Sequence, residues 1–162
     1  GFLDHMLELF VYHSLVDMDL KALGDINVDL HHTVEDTAYS IALATVKAMG
    51  EKKGINRYGF FYVPMDECLT RCVIDFSGRP ELVWKVNLGL KKIGEMDTEL
   101  FVEFFKAFTN ESKCNLHIEN IYGANNHHII ESCFKAFAKS YRIALETDLR
   151  RNNQIPSSKG TL

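Results

Sequence analysis

Apolar and polar positions along the chain switch between a helical period and a strand period, and the switches mark out its elements. In the first stretch Phe2, Met6, Leu9, Phe10 and His13 form a stripe with Asp4 and Glu8 away from it, which predicts a helix from Phe2 to Ser14 bearing His5 near its start. After a turn at Gly24, the run Asp25 to Leu30 alternates polar and apolar and predicts a strand. Thr33 then reads as an N-cap, and a helix is expected from there to Met49, stopping at Gly50. Three strands are predicted next, over Tyr58–Val63, Cys68–Phe76 and Glu81–Leu88, separated by the turns Pro64–Glu67 and Ser77–Pro80. Leu100, Phe101, Phe104, Phe105 and Phe108 give a helix over Thr98–Phe108, Asn115–Ile121 gives a strand, and a long helix is predicted from His128 to Thr147. A polar tail, Asn152–Leu162, closes the chain.

This order contains a repeat. Helix, strand, His-His-x-x-Glu and helix occur twice, at an offset of 96 residues from His31 to His127. The second copy is preceded by strands and the first is not, so the first half is expected to lack upstream strands. The prediction is an α+β protein of two duplicated lobes, with helices packed on one face of mainly antiparallel sheets. Residues 1–56 are expected to be the first half, 57–150 the second, and 151–162 a polar tail.

Composition narrows the functional classes. The 162 residues are 46% hydrophobic and 25% charged, which suits one full domain, or two small lobes sharing a core, rather than a disordered chain. A formal net charge of -4 argues against a nucleic-acid-binding domain. No apolar run approaches a membrane span and no signal peptide is expected. Cys68, Cys72, Cys114 and Cys133 lack zinc-knuckle spacing and read as reduced, mostly buried thiols of a cytoplasmic protein.

The chemistry concentrates in Leu30-His31-His32-Thr33-Val34-Glu35 and Asn126-His127-His128-Ile129-Ile130-Glu131, which hold four of the seven histidines. The second His and the Glu three residues later share a helix face, which is a metal-ligand spacing. The adjacent His points elsewhere, so each pair is expected to serve two ions. His5 stands 26 residues before His31 and Glu103 24 residues before His127, which makes them counterparts on the leading helices. Two ligand sets follow: His5, His31, His32 and Glu35, and Glu103, His127, His128 and Glu131. Imidazole and carboxylate suit Mn, Fe, Co, Ni or Zn, and two ions per chain would act as Lewis acids on a developing anion. Other polar residues take plainer readings: His13 as a hydrogen-bonded core histidine, His117 as a strand histidine, Asp66 and Glu67 as solvated loop acids, and Arg57 and Arg79 as surface charges or anion clamps.

Four motifs, Gly1-Phe2-Leu3-Asp4-His5-Met6-Leu7, Asp29–Asp36, Asn126–Glu131 and Ile155-Pro156-Ser157-Ser158-Lys159-Gly160, stand in an order that resembles the imidazoleglycerol-phosphate dehydratase family of histidine biosynthesis. The resemblance implies a metal-dependent lyase that removes water from imidazole glycerol phosphate to give imidazole acetol phosphate, with two Mn2+ per subunit holding the substrate ring as an imidazolate. It implies His5, His31, His32, Glu35, His127, His128 and Glu131 as ligands. Glu103 joins them as a carboxylate where some members carry His. Arg57, Arg79, Ser157, Ser158 and Lys159 would hold the phosphate. Glu35, Glu131, His32 and His128 are the candidate catalytic groups, although ligation weakens a carboxylate as a base. The family also implies a homo-oligomer of twenty-four subunits built from trimers, with shared active sites, and an upstream segment whose Arg and Glu bind substrate and move protons. Two alternatives stand beside this reading: a di-metal hydrolase of a small phosphorylated compound, and a non-catalytic metal-binding shell, against which the Ser157-Ser158-Lys159 tail argues.

Overall fold

The computed structural model describes residues 1–25 and 27–162. In chain order the elements are α1 (Phe2–Ser14), α2 (His31–Met49), β1 (Tyr58–Met65), β2 (Cys68–Asp75), β3 (Glu81–Lys85), the short hairpin β4 (Lys92–Ile93) and β5 (Met96–Asp97), α3 (Glu99–Ser112), β6 (Asn115–Tyr122) and α4 (Asn126–Leu145). A 3-10 turn over Leu149–Arg151 leads into the tail.

The main sheet runs β1-β2-β6-β3; β1/β2 and β2/β6 are antiparallel and β3/β6 is parallel. This is the mixed α+β architecture with antiparallel-dominated sheets that the pattern predicts. Alternation puts Cys68, Thr70, Cys72 and Ile74 of β2 and Leu116 and Ile118 of β6 on the covered face. α4 crosses that face over β1 and β2, α1 packs on α4, and α2 packs on α3. Between the helices lie Phe101, Phe104, Phe105 and Phe108 of α3 and Phe134 and Phe137 of α4, all buried, with tilted and edge-on ring contacts that aromatic quadrupoles favour. The seam between helix and sheet also carries polar bonds: Thr70 Oγ1 meets Ser132 Oγ at 2.7 Å and Ser140 Oγ donates to the Cys72 carbonyl at 3.0 Å. At Gly59 a Cβ would overlap the Ser140 carbonyl oxygen, so the absent side chain lets α4 lie directly on β1.

Over its described residues the expected strand at Asp25–Leu30 does not form. Ile26 lies outside the described residues, and the rest of the run is turn and irregular chain, with Val28 exposed. Alternation had marked it, but no described strand runs beside it to take its ladder hydrogen bonds, and an unpartnered strand is not stable. α2 also begins two residues before the expected cap. Asp29 Oδ1 accepts from the His31 N–H at 2.8 Å, which satisfies an opening amide of the helix and makes His31 its first residue.

Candidate metal centres and anion site

The packing of α1 on α4 brings His5 over the first turn of α4. His127 Nε2 lies 3.1 Å from Glu131 Oε2, and His5 Nε2 lies 3.7 Å from the same oxygen. The packing of α2 on α3 forms a second group in which His31 Nε2 is 3.5 Å from Glu35 Oε1 and Glu103 completes the trio. In each trio the donor atoms lie within 4.8 Å of one another.

Two sequence expectations are corrected here. The first His of each pair, not the second, meets the glutamate, because His31–Glu35 and His127–Glu131 are spaced i,i+4, one helical turn apart. The leading-helix residues are also exchanged between the halves. His5 joins His127 and Glu131, while Glu103 joins His31 and Glu35. The cause is the pairing of helices, α1 with α4 and α2 with α3, which counting along the chain cannot reveal.

An ion bound at 2.0–2.2 Å by nitrogen and oxygen ligands holds neighbouring donors roughly 3 Å apart. The 3.1, 3.5 and 3.7 Å separations are near that value and the remaining pairs lie within 4.8 Å, so the donor sets are compatible with a divalent transition ion. Phe2 braces the first trio, its ring edge-on to His127 at 5.0 Å and to Phe101 at 5.6 Å. Lys135, four residues past Glu131 and so on the same face, donates to Glu131 Oε1 at 2.6 Å. Burial pushes the Glu131 carboxyl up, but the bonds and charges of Lys135 and His127 outweigh it and leave the group below the usual carboxylate range. Lys135 did not figure among the expected site residues, although its spacing from Glu131 is legible in the sequence.

The second histidines face elsewhere. His128 Nδ1 lies 2.8 Å from Glu67 Oε2, and its Nε2 lies 3.7 Å from Asp66 Oδ2. The Glu67 bond raises the imidazole above its ordinary range, and the same bond, with the Asn125 amide, holds Glu67 well below the carboxylate range. Glu67 is therefore not the idle loop acid that its turn position suggested. His32 is exposed on the rim of a cavity of about 280 Å3 shared with Asp25, Thr33 and Asp36. A cavity of about 570 Å3 opens beside His127, lined by Gly89, Lys92, Asn125 and Asn126. His13 is half-buried against the Tyr12 ring, and burial together with Lys135 and Lys139 pushes it down, toward a neutral ring. His117 points out from the open face of β6.

The expected anion-binding residues form a separate neighbourhood. Arg57 donates through Nε and Nη2 to Asp75 at 2.7 and 3.1 Å, and through Nη1 to the Pro156 carbonyl at 3.0 Å, which ties the tail to the sheet. Ser157 Oγ accepts from the Lys159 amide, Lys159 and Arg79 are exposed, and Gly78 abuts Leu162, so the Ser77–Pro80 turn and the tail lie together. Ser158 is placed by the same tail turn. The Arg57 amide donates to the Ala144 carbonyl of α4. That point lies thirteen residues beyond Glu131, about 20 Å along the helix axis at 1.5 Å per residue. Within one chain, the anion neighbourhood and the His127 trio are thus held at opposite ends of α4.

The class these features define is an α+β protein with two imidazole–carboxylate trios and a cationic tail site. Residues 1–141 match the family described as Imidazoleglycerol-phosphate dehydratase, and the chain belongs to that family of hydro-lyases of histidine biosynthesis. It is 52% identical over 162 residues to the imidazoleglycerol-phosphate dehydratase of Sinorhizobium fredii (strain NBRC 101917 / NGR234), covering 100% of this chain and 80% of that one. To that of Ruegeria pomeroyi it is 51% identical, covering 83% of the relative. Among solved structures, the Staphylococcus aureus dehydratase superposes with a TM-score of 0.85 at 42% identity, over 91% of this chain and 84% of that one. The Pyrococcus furiosus protein, in complex with (S)-C348, gives 0.82 at 27% identity, over 99% and 86%.

Proposed function

We propose that the chain catalyses the dehydration of imidazole glycerol phosphate to imidazole acetol phosphate in the cytoplasm, at sites that hold two Mn2+ per chain. The observation that carries this reading is the pair of crossed trios, His5/His127/Glu131 and His31/Glu35/Glu103, each with its donor atoms within 4.8 Å of one another. These residues would hold the ions, and His32 and His128, turned away from the trios, would offer ligands to a neighbouring copy. Bound Mn2+ supplies Lewis acidity that draws electron density from the substrate's ring nitrogens. Arg79, Ser157, Ser158 and Lys159 bind the phosphate, and Arg57 orders that tail through the Pro156 carbonyl. Lys135 holds the Glu131 carboxyl below its usual range, which keeps it ionised for ligation and makes it a weaker base.

A homo-oligomer, twenty-four subunits built from trimers, is part of the reading. The roughly 20 Å along α4 between the anion neighbourhood and the His127 trio is too long for one small phosphorylated substrate to bridge within a chain, which favours sites completed by a neighbour. The open sheet face, with Tyr58, Phe60, Tyr62, Val73 and Ile121 exposed, is an apolar patch of the kind that subunit contacts cover. Residues 1–56 and 57–150 are the two halves of a duplicated unit, with 151–162 as the substrate-binding tail.

The test is product identification after incubation of the Mn2+-loaded protein with imidazole glycerol phosphate. Loss of one water, with the phosphate retained, is expected. Release of inorganic phosphate without dehydration would make the chain a hydrolase instead, and no turnover with intact metal-dependent assembly would favour the structural shell.

A further inference from the structure

The turn between β1 and β2 places a carboxylate where it controls one histidine ring. Glu67 Oε2 lies 2.8 Å from His128 Nδ1, while its other oxygen, Oε1, accepts from the Asn125 amide at 2.8 Å and the Ala124 amide at 3.3 Å. The two amides belong to the segment that enters α4, and Asn125 is the helix cap whose side chain accepts from the His127 and His128 amides. Both oxygens of one carboxylate are therefore used, one on the ring and one on the backbone that carries it.

We infer that Glu67 is a positioning residue for metal binding: it fixes the proton of His128 on Nδ1 and so leaves the Nε2 lone pair, which the exposed Asp66 carboxylate faces only at 3.7 Å, beyond hydrogen-bond reach, free to ligate. This rests on the reading of His128 as a metal ligand. An ionised carboxylate only accepts hydrogen bonds, so the ring nitrogen facing it must carry the proton. A neutral imidazole then has its lone pair on the opposite nitrogen, and the clamp on Asn125 sets the direction in which that lone pair points. Glutamine cannot do both tasks. If its oxygen serves the amides, its NH2 faces Nδ1 and drives the proton to Nε2, which blocks ligation. If its oxygen serves the ring, its NH2 confronts two N–H donors.

A double-mutant cycle read by Mn2+ affinity tests this, with free Mn2+ counted from its paramagnetic resonance signal. Glu67→Gln is expected to weaken Mn2+ binding by about ten- to a hundredfold, the range for loss of a histidine's carboxylate partner. In a His128→Ala background the same change should do nothing further, because the ring it acts through is gone. Glu67→Ala, which leaves the two solvent-accessible amides to water, is the second variant and should follow Glu67→Gln, weakening binding when His128 is present and doing nothing further in the His128→Ala background. Wild-type affinity in Glu67→Gln and Glu67→Ala overturns the inference, and so does equal weakening with and without His128, which marks a general role in the α4 entry. If His128→Ala alone keeps wild-type affinity and ion count, His128 is no ligand and the underlying reading fails with it.

Discussion

Glu131 shows how a single carboxylate is set for its task. One oxygen faces His5 and His127 and the other is held by Lys135, so the trio stays in place although burial disfavours the charge. Lys135→Met removes the bond and charge that outweigh burial, so the Glu131 carboxyl should move up. Infrared spectra of the metal-free protein should then show a protonated carboxyl at a higher pH than in the wild type. The sign follows from linkage: a depressed carboxyl contributes stability above its unfolded range and loses it as pH falls, so Lys135→Met should be relatively less stable near neutrality. Much at this scale was legible, since the His-His-x-x-Glu motifs name six of the residues concerned. The choice of first over second histidine was not legible, because i,i+3 and i,i+4 spacings both share a face and the helix start at His31 depends on the bond from its amide to Asp29 Oδ1. Glu67 reads from the sequence as a solvated loop acid because its partner, His128, is brought to it by the β1–β2 turn and not by spacing.

At the scale of elements, two close fits position the site. Gly59 allows α4, which carries His127 and Glu131 at one end, to rest on β1. Gly59→Val should cost about 1–3 kcal/mol as overpacking forces the layers apart, seen as a lower urea midpoint with an unchanged slope. Arg57 bridges Asp75 and the Pro156 carbonyl while mostly buried. Arg57→Met should loosen residues 151–162, raising their protease sensitivity, and should cost about 1–3 kcal/mol, toward the low end because the Asp75 carboxylate is partly exposed. Most elements of the second half were readable from their periods, because strands that lie on a helix layer alternate and amphipathic helices repeat at 3.6 residues. The run at Asp25–Leu30 had the right alternation and still formed no strand over its described residues, since a ladder depends on a neighbour that periodicity does not disclose.

For the whole molecule, the crossing of the halves ties the fold to the chemistry: each trio draws on both halves of the sequence, so folding one half alone leaves neither complete. The buried thiols report on the same core. Burial pushes Cys72 up to about 12, Cys68 and Cys114 to about 11, and Cys133 up as well. Above about pH 9 the unfolded chain gives up thiol protons that the folded chain keeps, so stability should fall as pH rises, by up to ~1.4 kcal/mol per pH unit for each thiol. Urea midpoints at pH 8 and pH 10 check this, and Cys72→Ala should flatten part of the slope. The sequence could show which residues are candidates for a metal site but not how they group, because that depends on which helices pack together. Ion counting in three proteins tests the crossed trios most directly: the wild type, Glu131→Gln and Glu35→Gln, each dialysed against Mn2+ and measured for metal per chain. About two ions in the wild type and about one in each variant are expected, since each glutamate serves one trio. Two ions retained in either variant, or both lost in one, would contradict two separate centres built from His5/His127/Glu131 and His31/Glu35/Glu103.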